Sequence, residues 1–229
     1  MKSERKSYSY EEAFEESKKY FNGEELPAKV FLDKYALRDR DGSIFEKSPE
    51  EMFDRISCEI EKIEKKKFKK PLTFEEIKEY ISGFKRLVPQ GSPMYGIGNT
   101  EQYVSNSNCF VIDSPKDSYG GILKSDEEIV QISKRRGGVG LDISNLRPKG
   151  SKTTNAARTS TGIISFLERF SNSIREVGQN GRRGALLVSL SVHHPDVLDF
   201  SRIPLFIRAF IMSLCIESFG KSSRYKSPF

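Results

Sequence analysis

The sequence predicts a two-part fold, in which a helical N-terminal region precedes an α/β layer or barrel. Helix caps and apolar residues at helical spacing recur up to about residue 88. The Pro/Gly-rich segment 89–100 then marks a boundary. Beyond it, short apolar strands alternate with helices, as is typical of α/β proteins. We therefore expect a helical region at 1–88, an α/β region at 89–200 and a tail of different character at 201–229.

Composition limits the function classes. The 229 residues carry a net charge of +6, from 38 Lys and Arg against 32 Asp and Glu, which suits an anionic ligand such as a nucleotide. No segment combines a basic run with stacking aromatic residues, so we expect no nucleic-acid partner. No apolar stretch approaches the ~20 residues that span a bilayer. No signal peptide is evident, and the three scattered cysteines suggest neither a disulfide framework nor a zinc site, so we expect a cytoplasmic protein.

Metal ligands are also scarce in the sequence. The two histidines are adjacent, at His193 and His194, and the carboxylates show no metal-ligand spacing. We therefore expect no metal site in this chain.

The N-terminal helices are predicted from their start signals. Ser9, with Glu11 and Glu12 in the following turn, is predicted to be an N-cap, and Thr73 is predicted to cap a helix with Glu76 at its third position. Ser48, followed by Pro49 and Glu51, predicts a capping box. A further helix is expected at 24–35. Cys58 falls beside the apolar stripe of the third capped helix, where we expect a buried or half-buried thiol.

The α/β region is predicted to alternate strands and helices. We expect strands at 109–112, 137–143 and 185–190, a helix from Asp126 to about Arg136, and a helix that begins at Thr159 or Ser160. Segment 113–117 is expected to be a turn, and segment 178–184 a Gly-rich loop.

One glycine-rich stretch suggests phosphate chemistry. Residues 137–140, Gly-Gly-Val-Gly, follow a predicted helix and precede a strand, which is the reverse of a dinucleotide fingerprint. No Gly-Lys-Ser/Thr ends the stretch, so it is not a P-loop. The glycines permit either a tight turn or the close approach of a ligand. Four flanking cations suit phosphate binding: Arg135, Arg136, Arg147 and Lys149. The residues alone leave open whether the stretch is a phosphate site or a plain turn.

The ordered motifs from Ser92 to Phe200 resemble the large, catalytic subunit of ribonucleotide reductase. Residues 9–90 resemble the N-terminal helical region of that family more weakly and do not match a complete ATP-cone module. The resemblance implies the first part of a ten-stranded α/β barrel, left incomplete, followed by a divergent tail at 201–229. The segments that carry it are Ser107–Val111, Asp117–Tyr119, Lys134–Gly140, Leu146–Ser151, Ser160–Gly162, Gln179–Ala185 and His194–Asp196.

The resemblance implies a role for one cysteine. Cys109 matches a redox thiol that pairs with a second cysteine far downstream and forms a disulfide in each turnover. From position alone, Cys109 could equally be a small buried core residue. The implied contacts to substrate come from Ser92, Asn108, Cys109 and Gly138. A hydroxyl at Ser92 and a free main-chain amide at Gly138 suit that use.

The resemblance also implies an allosteric specificity site. There a deoxynucleotide or ATP selects the substrate, through residues matching Asp117, Ser118, Tyr119, Arg147 and Thr153. Asp117 could alternatively be an ordinary turn aspartate. A second loop would lie between effector and substrate and be contacted by both, and its residues are Gln179, Arg183, Gly184 and Ala185.

Cofactors and partners follow from the same resemblance. We expect no cofactor bound by this chain itself. The radical would come from either a metal-containing small subunit or adenosylcobalamin, and electrons from a dithiol reductant of the thioredoxin or glutaredoxin type. Further expected partners are the ribonucleotide substrate, the effector, the C-terminal half of the subunit and a second copy of the completed chain.

The resemblance covers only the N-terminal part of the family's chains. Ser213, Cys215 and Glu217 resemble the family's radical motif, but the motif belongs much further downstream, so we interpret the similarity as chance. Our first hypothesis is an N-terminal piece of a split or truncated ribonucleoside-diphosphate reductase large subunit, active with a C-terminal piece. The second is a non-catalytic remnant that at most binds nucleotide. An unrelated nucleotide-binding protein would require every ordered motif to be accidental.

Overall fold

The computed structural model describes residues 5–177 and 184–203. In these residues, helices α1 to α8 run over Tyr10–Tyr20, Glu25–Lys34, Pro49–Lys67, Phe74–Ile81, Gly91–Gly96, Tyr119–Ser133, Ile163–Glu176 and Val197–Ser201. Strands β1 to β3 run over Cys109–Val111, Gly138–Asp142 and Leu186–Ser189. The predicted tail at 201–229 lies outside the described residues from 204 onward, and so does the motif at Ser213–Glu217. No helix in the described part of the chain is long and apolar enough to cross a membrane.

The chain forms two compact units. Of the described residues, the first comprises those from 5 to 110, with Val130–Gly138, 175–177 and 184–185. The second comprises Val111–Ile129, Val139–Ile174 and residues 186–203. The predicted domain boundary near residue 89 stays a prediction.

The first unit is built around a helical core. Apolar side chains from α1, α2, α3 and α4 and from the segments between them bury one another, and the cluster comprises Ala13, Phe31, Leu32, Ala36, Ile44, Met52, Phe53, Ile56 and Ile81. A buried ion pair borders it, with Arg55 Nε 2.6 Å from Glu46 Oε1. The carboxylate of Glu46 also accepts the main-chain amide of Leu37 at 2.9 Å. Because both charged groups are nearly excluded from water, each needs the other to remain satisfied.

The helix caps confirm two of three predictions. Ser9 and Thr73 each form the full capping box, with side-chain and main-chain hydrogen bonds exchanged with Glu12 and Glu76 respectively. The third was wrong, because Ser48 makes no side-chain capping bond although Pro49 occupies the first helical position. The carboxylate of Glu51 instead accepts the amide of Lys47 at 2.8 Å, one residue before the expected position.

The strands form a three-stranded sheet in the order β1–β2–β3. Strand β2 pairs in parallel with β3, with Val139 opposite Leu186 and Leu141 opposite Val188. These four side chains are buried, whereas Leu187 on the opposite face is 46% exposed. The alternation is that of a sheet with one covered face. As predicted, this part of the chain is an α/β layer with open edges, consistent with the first part of a barrel.

Two predicted helix starts in the α/β region were wrong. Helix α6 begins at Tyr119, seven residues before Asp126, because the Ser118 hydroxyl accepts the Gly121 amide at 3.1 Å and caps the helix there. Asp126 lies inside α6, where its carboxylate accepts Arg169 Nε at 2.9 Å. Helix α7 begins at Ile163, after residues 152 and 159 have paired as an isolated antiparallel bridge.

The Pro/Gly-rich segment 89–100 also differs from expectation. We predicted a plain connection, yet Gly91–Gly96 forms the short helix α5. Its side chains Ser92 and Tyr95 are buried, at 0% and 3% exposure. Tertiary burial therefore stabilises a helix in a segment whose Gly and Pro content predicts none.

The two kinds of Ser/Thr cap differ in a testable way. Thr73→Ala removes an acceptor from the first turn of α4 and should lower the free energy of unfolding by about 1 kcal/mol. Ser48→Ala removes no side-chain capping bond and should change it by less than about 0.5 kcal/mol. Urea unfolding followed by circular dichroism measures both, and equal losses in the two variants would contradict the assignment of caps.

Candidate functional site

The second unit contains a cavity of about 270 Å³ on which the predicted effector residues converge. Its lining includes every one of them, namely Asp117, Ser118, Tyr119, Arg147 and Thr153. They come from two stretches more than 25 residues apart, the start of α6 and the loop that follows β2. The structure therefore brings together residues that the sequence resemblance had grouped.

An ion pair spans the cavity wall. Arg147 Nε lies 2.7 Å from Asp117 Oδ2, and the main-chain amide of Arg147 donates to Asp117 Oδ1 at 3.3 Å. The guanidinium also donates to the carbonyl of Lys152 at 3.2 Å. Both charged side chains are more than one-third exposed, so the pair itself stabilises the fold by only about 0–1 kcal/mol. Its main effect is to fix the position of Arg147.

The start of α6 supplies a second feature of the cavity. Ser118 caps this 15-residue helix, so the positive end of the helix dipole lies at the cavity. Beside it, the rings of Tyr119 and Phe166 meet edge to face, with centroids 6.1 Å apart. Tyr119 is 61% exposed, which leaves ring surface available to a ligand. The arrangement thus offers a site for negative charge next to an aromatic surface.

The loop after β2 folds back on itself to form the opposite wall. Lys152 pairs with Thr159 across it, and the Thr153 amide donates to the Arg158 carbonyl at 2.9 Å. The Thr153 hydroxyl donates to Asn155 Oδ1 at 2.8 Å. The predicted effector residues Arg147 and Thr153 therefore lie on one arm of a longer hairpin-like loop that ends at Gly162.

Several lining residues were missed from the sequence. They are Ile122, Thr154, Asn155, Ala157, Thr159, Ser160, Thr161 and Phe166. The Thr-rich run between residues 153 and 161 was a signal that could have extended the site, because hydroxyl groups favour polar ligands. Phe166 carried no such signal, since an apolar residue in an amphipathic helix is expected in the core.

The predicted substrate residues meet in the first unit. Asn108 links two of them, because its Oδ1 accepts the Ser92 amide at 2.7 Å and its main-chain carbonyl accepts the Gly138 amide at 2.6 Å. The expectation of a free amide at Gly138 was therefore wrong, because the Asn108 carbonyl accepts its hydrogen. The buried Ser92 hydroxyl is also engaged and donates to the Arg136 carbonyl at 3.2 Å. In this chain the groups hold one another in place.

Arg136 stabilises the hydrogen-bonded group of Ser92, Asn108 and Gly138, which we call the predicted substrate corner. It has a left-handed backbone, with φ of 71°, and its guanidinium carbon lies 4.0 Å from the centroid of the Tyr95 ring. The guanidinium also donates to the carbonyl of Lys34 at 2.9 Å. Burial raises the pKa of the Tyr95 hydroxyl, an effect that the charge of Arg136 opposes. Of the four cations flanking the glycine stretch, Arg136 is thus a buried structural group.

The two described cysteines are both free and exposed. Exposure of Cys109 contradicts the alternative interpretation of a buried core residue and leaves its thiol accessible in this chain. The expectation for Cys58 was wrong. Met52 and Ile56 of the same helix are buried, and Cys58 lies about 200° around the helix from Ile56, on the face turned to solvent.

The predicted specificity loop is described only at its end. Gln179 and Arg183 lie outside the described residues. Gly184 is half-buried and Ala185 exposed, and Ala185 Cβ lies 3.4 Å from the position of a Cβ built on Gly138. The end of this loop thus contacts the predicted substrate corner.

A second cavity, of about 390 Å³, lies in the first unit. Charged residues of both signs line it, including the ion-paired Glu46 and Arg55, and Cys58 is at its wall. It contains none of the predicted site residues. Within 5–177 and 184–203, no cluster of His, Cys, Asp and Glu has the arrangement of a metal site.

Two domains of one known protein family match most of this chain. The all-alpha domain of ribonucleotide reductase matches residues 22–96, and the barrel domain of ribonucleotide reductase matches residues 107–204. The chain belongs to the ribonucleotide reductase large-subunit family. It corresponds to the N-terminal part of that subunit.

Named relatives agree with this affiliation. The ribonucleoside-diphosphate reductase large chain of Neurospora crassa is 30% identical over 171 residues, which cover 74% of this chain and 17% of the relative. The alpha subunit of Helicobacter pylori is 31% identical over 176 residues, covering 76% and 21%. Large chain 2 of Saccharomyces cerevisiae is 42% identical over 96 residues, covering 41% and 11%. The chain thus spans about a fifth or less of these relatives.

The loop at 147–162 ends at a glycine where an added side chain would meet close contacts. Gly162 has φ of 83°, and a Cβ there would lie 2.8 Å from Lys149 Cβ and 2.9 Å from Asp196 Oδ2. Gly162→Ala should therefore lower the free energy of unfolding by about 1–3 kcal/mol.

Gly120→Ala is the matched control, because a Cβ at Gly120 meets nothing within 4 Å and the residue lies in α6. Its stability should be unchanged or higher by up to about 1 kcal/mol. Urea unfolding compares the two variants, and equal effects would contradict the loop geometry.

Proposed function

We propose that this chain supplies the specificity-effector site, part of the substrate site and one redox thiol of a ribonucleoside-diphosphate reductase. The observation that carries the proposal is the convergence of all five predicted effector residues on one cavity. The family of the chain and the names of its relatives supply the reaction, the reduction of ribonucleoside diphosphates to deoxyribonucleotides.

The cavity offers groups suited to each part of a nucleotide. Arg147 and the capped start of α6 at Ser118 provide positive charge and directed donors for phosphate. The exposed face of Tyr119 can stack on a base. The carboxylate of Asp117 can accept hydrogen bonds from a sugar hydroxyl. Because the Asp117–Arg147 pair is exposed and weak, phosphate can compete for Arg147 at little cost.

In the redox step, Cys109 acts with a second thiol supplied by the downstream part of the subunit. Conversion of a ribonucleotide to a deoxyribonucleotide removes the 2′ hydroxyl as water and consumes two electrons and two protons. The two thiols provide both and become a disulfide. A dithiol reductant then restores them by thiol–disulfide exchange, for which the exposed Cys109 sulfur is accessible.

The remaining participants are proposed from the family. A radical-generating partner acts with the completed subunit, and either a metal-containing small subunit or adenosylcobalamin supplies the radical. Ser92, Asn108 and Gly138 would hold the substrate once their mutual hydrogen bonds rearrange. The loop at Gln179, Arg183, Gly184 and Ala185 would lie between substrate and effector, in a homo-oligomer located in the cytoplasm.

The effector site is tested by nucleotide titration of the 229-residue chain. Arg147→Gln should weaken binding of dTTP about tenfold, because a charge-assisted hydrogen bond to phosphate is lost. Isothermal titration calorimetry gives the dissociation constant.

Arg202→Gln is the matched control, since Arg202 is exposed in the same unit and does not line the cavity. It should leave the dissociation constant unchanged. An equal loss in both variants would indicate nonspecific charge attraction, and no effect of Arg147→Gln would place the effector elsewhere.

The redox role is tested by co-expressing the chain with the C-terminal part of a homologous large subunit. Reduction of a ribonucleoside diphosphate with a dithiol reductant should then be measurable. Cys109→Ser should abolish turnover with that reductant, because no disulfide can form.

Cys58→Ser, which alters the other described thiol, should retain the activity. Turnover that survives Cys109→Ser would rule out the redox assignment. No activity in any combination, with nucleotide binding retained, would support the alternative of a chain that only binds nucleotide.

A further inference from the structure

We infer that Asp196 is a positioning residue for the effector site: its carboxylate joins the two ends of the loop at 147–162 and keeps the cavity formed. The inference rests on the proposed function in one respect, namely that the cavity holds the effector. Asp196 itself does not line the cavity and lies 34 residues beyond the end of the loop, in a turn before α8.

The carboxylate binds both ends of the loop directly. The amide of Lys149, at the loop's start, donates to Asp196 Oδ2 at 3.0 Å and to Oδ1 at 3.2 Å. The amide of Ile163, the first residue of α7, donates to Oδ2 at 3.3 Å. One side chain therefore closes the loop and supplies the acceptor that the first amide of a helix lacks.

Close packing enforces the arrangement. Asp196 is 8% exposed, so loss of its oxygens would leave donors without an acceptor in a site with little water. Gly162 permits the approach, because a Cβ there would lie 2.9 Å from Asp196 Oδ2. A side chain at 162 and the carboxylate at 196 are thus mutually exclusive.

His194 orients the turn that carries Asp196. Its Nδ1 accepts the Asp196 amide at 3.1 Å, and its Nε2 lies 2.8 Å from the carbonyl of Leu146, one residue before Arg147. A neutral ring with its hydrogen on Nε2 satisfies both bonds. The ring therefore fixes the distance between the Asp196 turn and the residue that leads into the effector loop.

The geometry makes the order of the loop's two ends depend on Asp196. Without the carboxylate, the Lys149 and Ile163 amides lose their shared acceptor. The hydrogen bonds between the arms of the loop remain, as from the Gly150 amide to the Ser160 carbonyl at 2.9 Å, and the exposed Asp117–Arg147 pair adds only weak stabilisation. The effector would then have to order the loop as it binds, which lowers its affinity.

Hydrogen exchange of the full 229-residue chain, read by mass spectrometry, tests the inference without nucleotide. In Asp196→Ala, exchange of peptides covering residues 147–163 should accelerate about tenfold, while peptides of α1–α3 stay unchanged. Asp196→Asn should give a smaller acceleration and serves if the alanine variant does not fold. Asp199→Asn, an exposed carboxylate in α8, is the matched control and should change nothing.

The second readout is the dissociation constant for dTTP, which should rise about tenfold in Asp196→Ala with the helical circular dichroism retained. Unchanged hydrogen exchange at 147–163 would overturn the inference, whatever the dissociation constant for dTTP. Accelerated exchange with unchanged dTTP affinity would overturn its link to the effector. If the unaltered chain binds no dTTP while the exchange difference persists, the proposed function fails and the structural role of Asp196 stands.

Discussion

The ion pair between Asp117 and Arg147 sets the position of the guanidinium in the cavity that we propose binds the effector. It joins the turn before α6 to the loop after β2, segments separated by 30 residues in the chain. Its exposure means that it contributes little to the stability of the fold, so its importance lies in geometry. A weak, exposed pair that holds a guanidinium at a helix start suits a site that binds and releases an anion. A buried pair such as Arg55–Glu46 would resist that exchange.

The substrate corner follows a different principle. Ser92, Asn108 and Gly138 are joined by short hydrogen bonds to one another and to the main chain of Arg136. Such a network orders these groups without a ligand, and the proposed binding of substrate there would replace some of its bonds. Cys109, for which we propose the redox role, follows Asn108 directly and has an exposed thiol. The hydrogen-bonded Asn108 and the exposed Cys109 thiol are thus adjacent in the sequence.

The sequence predicted what local chemistry decides. The caps at Ser9 and Thr73 and the alternation of strands were correct because each depends on residues within a few positions. The predicted start of α7 was wrong because the acceptor for the Ile163 amide is the carboxylate of Asp196, 33 residues away in the chain. Phe166 was missed as a cavity residue because an apolar residue of an amphipathic helix is expected in the core. The grouping of the effector residues came from resemblance to a family, and no spacing rule would have joined Asp117 to Arg147.

The most direct test of the effector assignment is photolabelling of the 229-residue chain with an azido-substituted deoxyadenosine triphosphate, followed by peptide mapping. We expect label on peptides containing Tyr119 or residues 147–161, and its loss when excess dTTP competes. Label confined to the cavity lined by Arg55 and Cys58, with none at Tyr119 or 147–161, would contradict the proposal that the effector binds at the Asp117–Arg147 cavity.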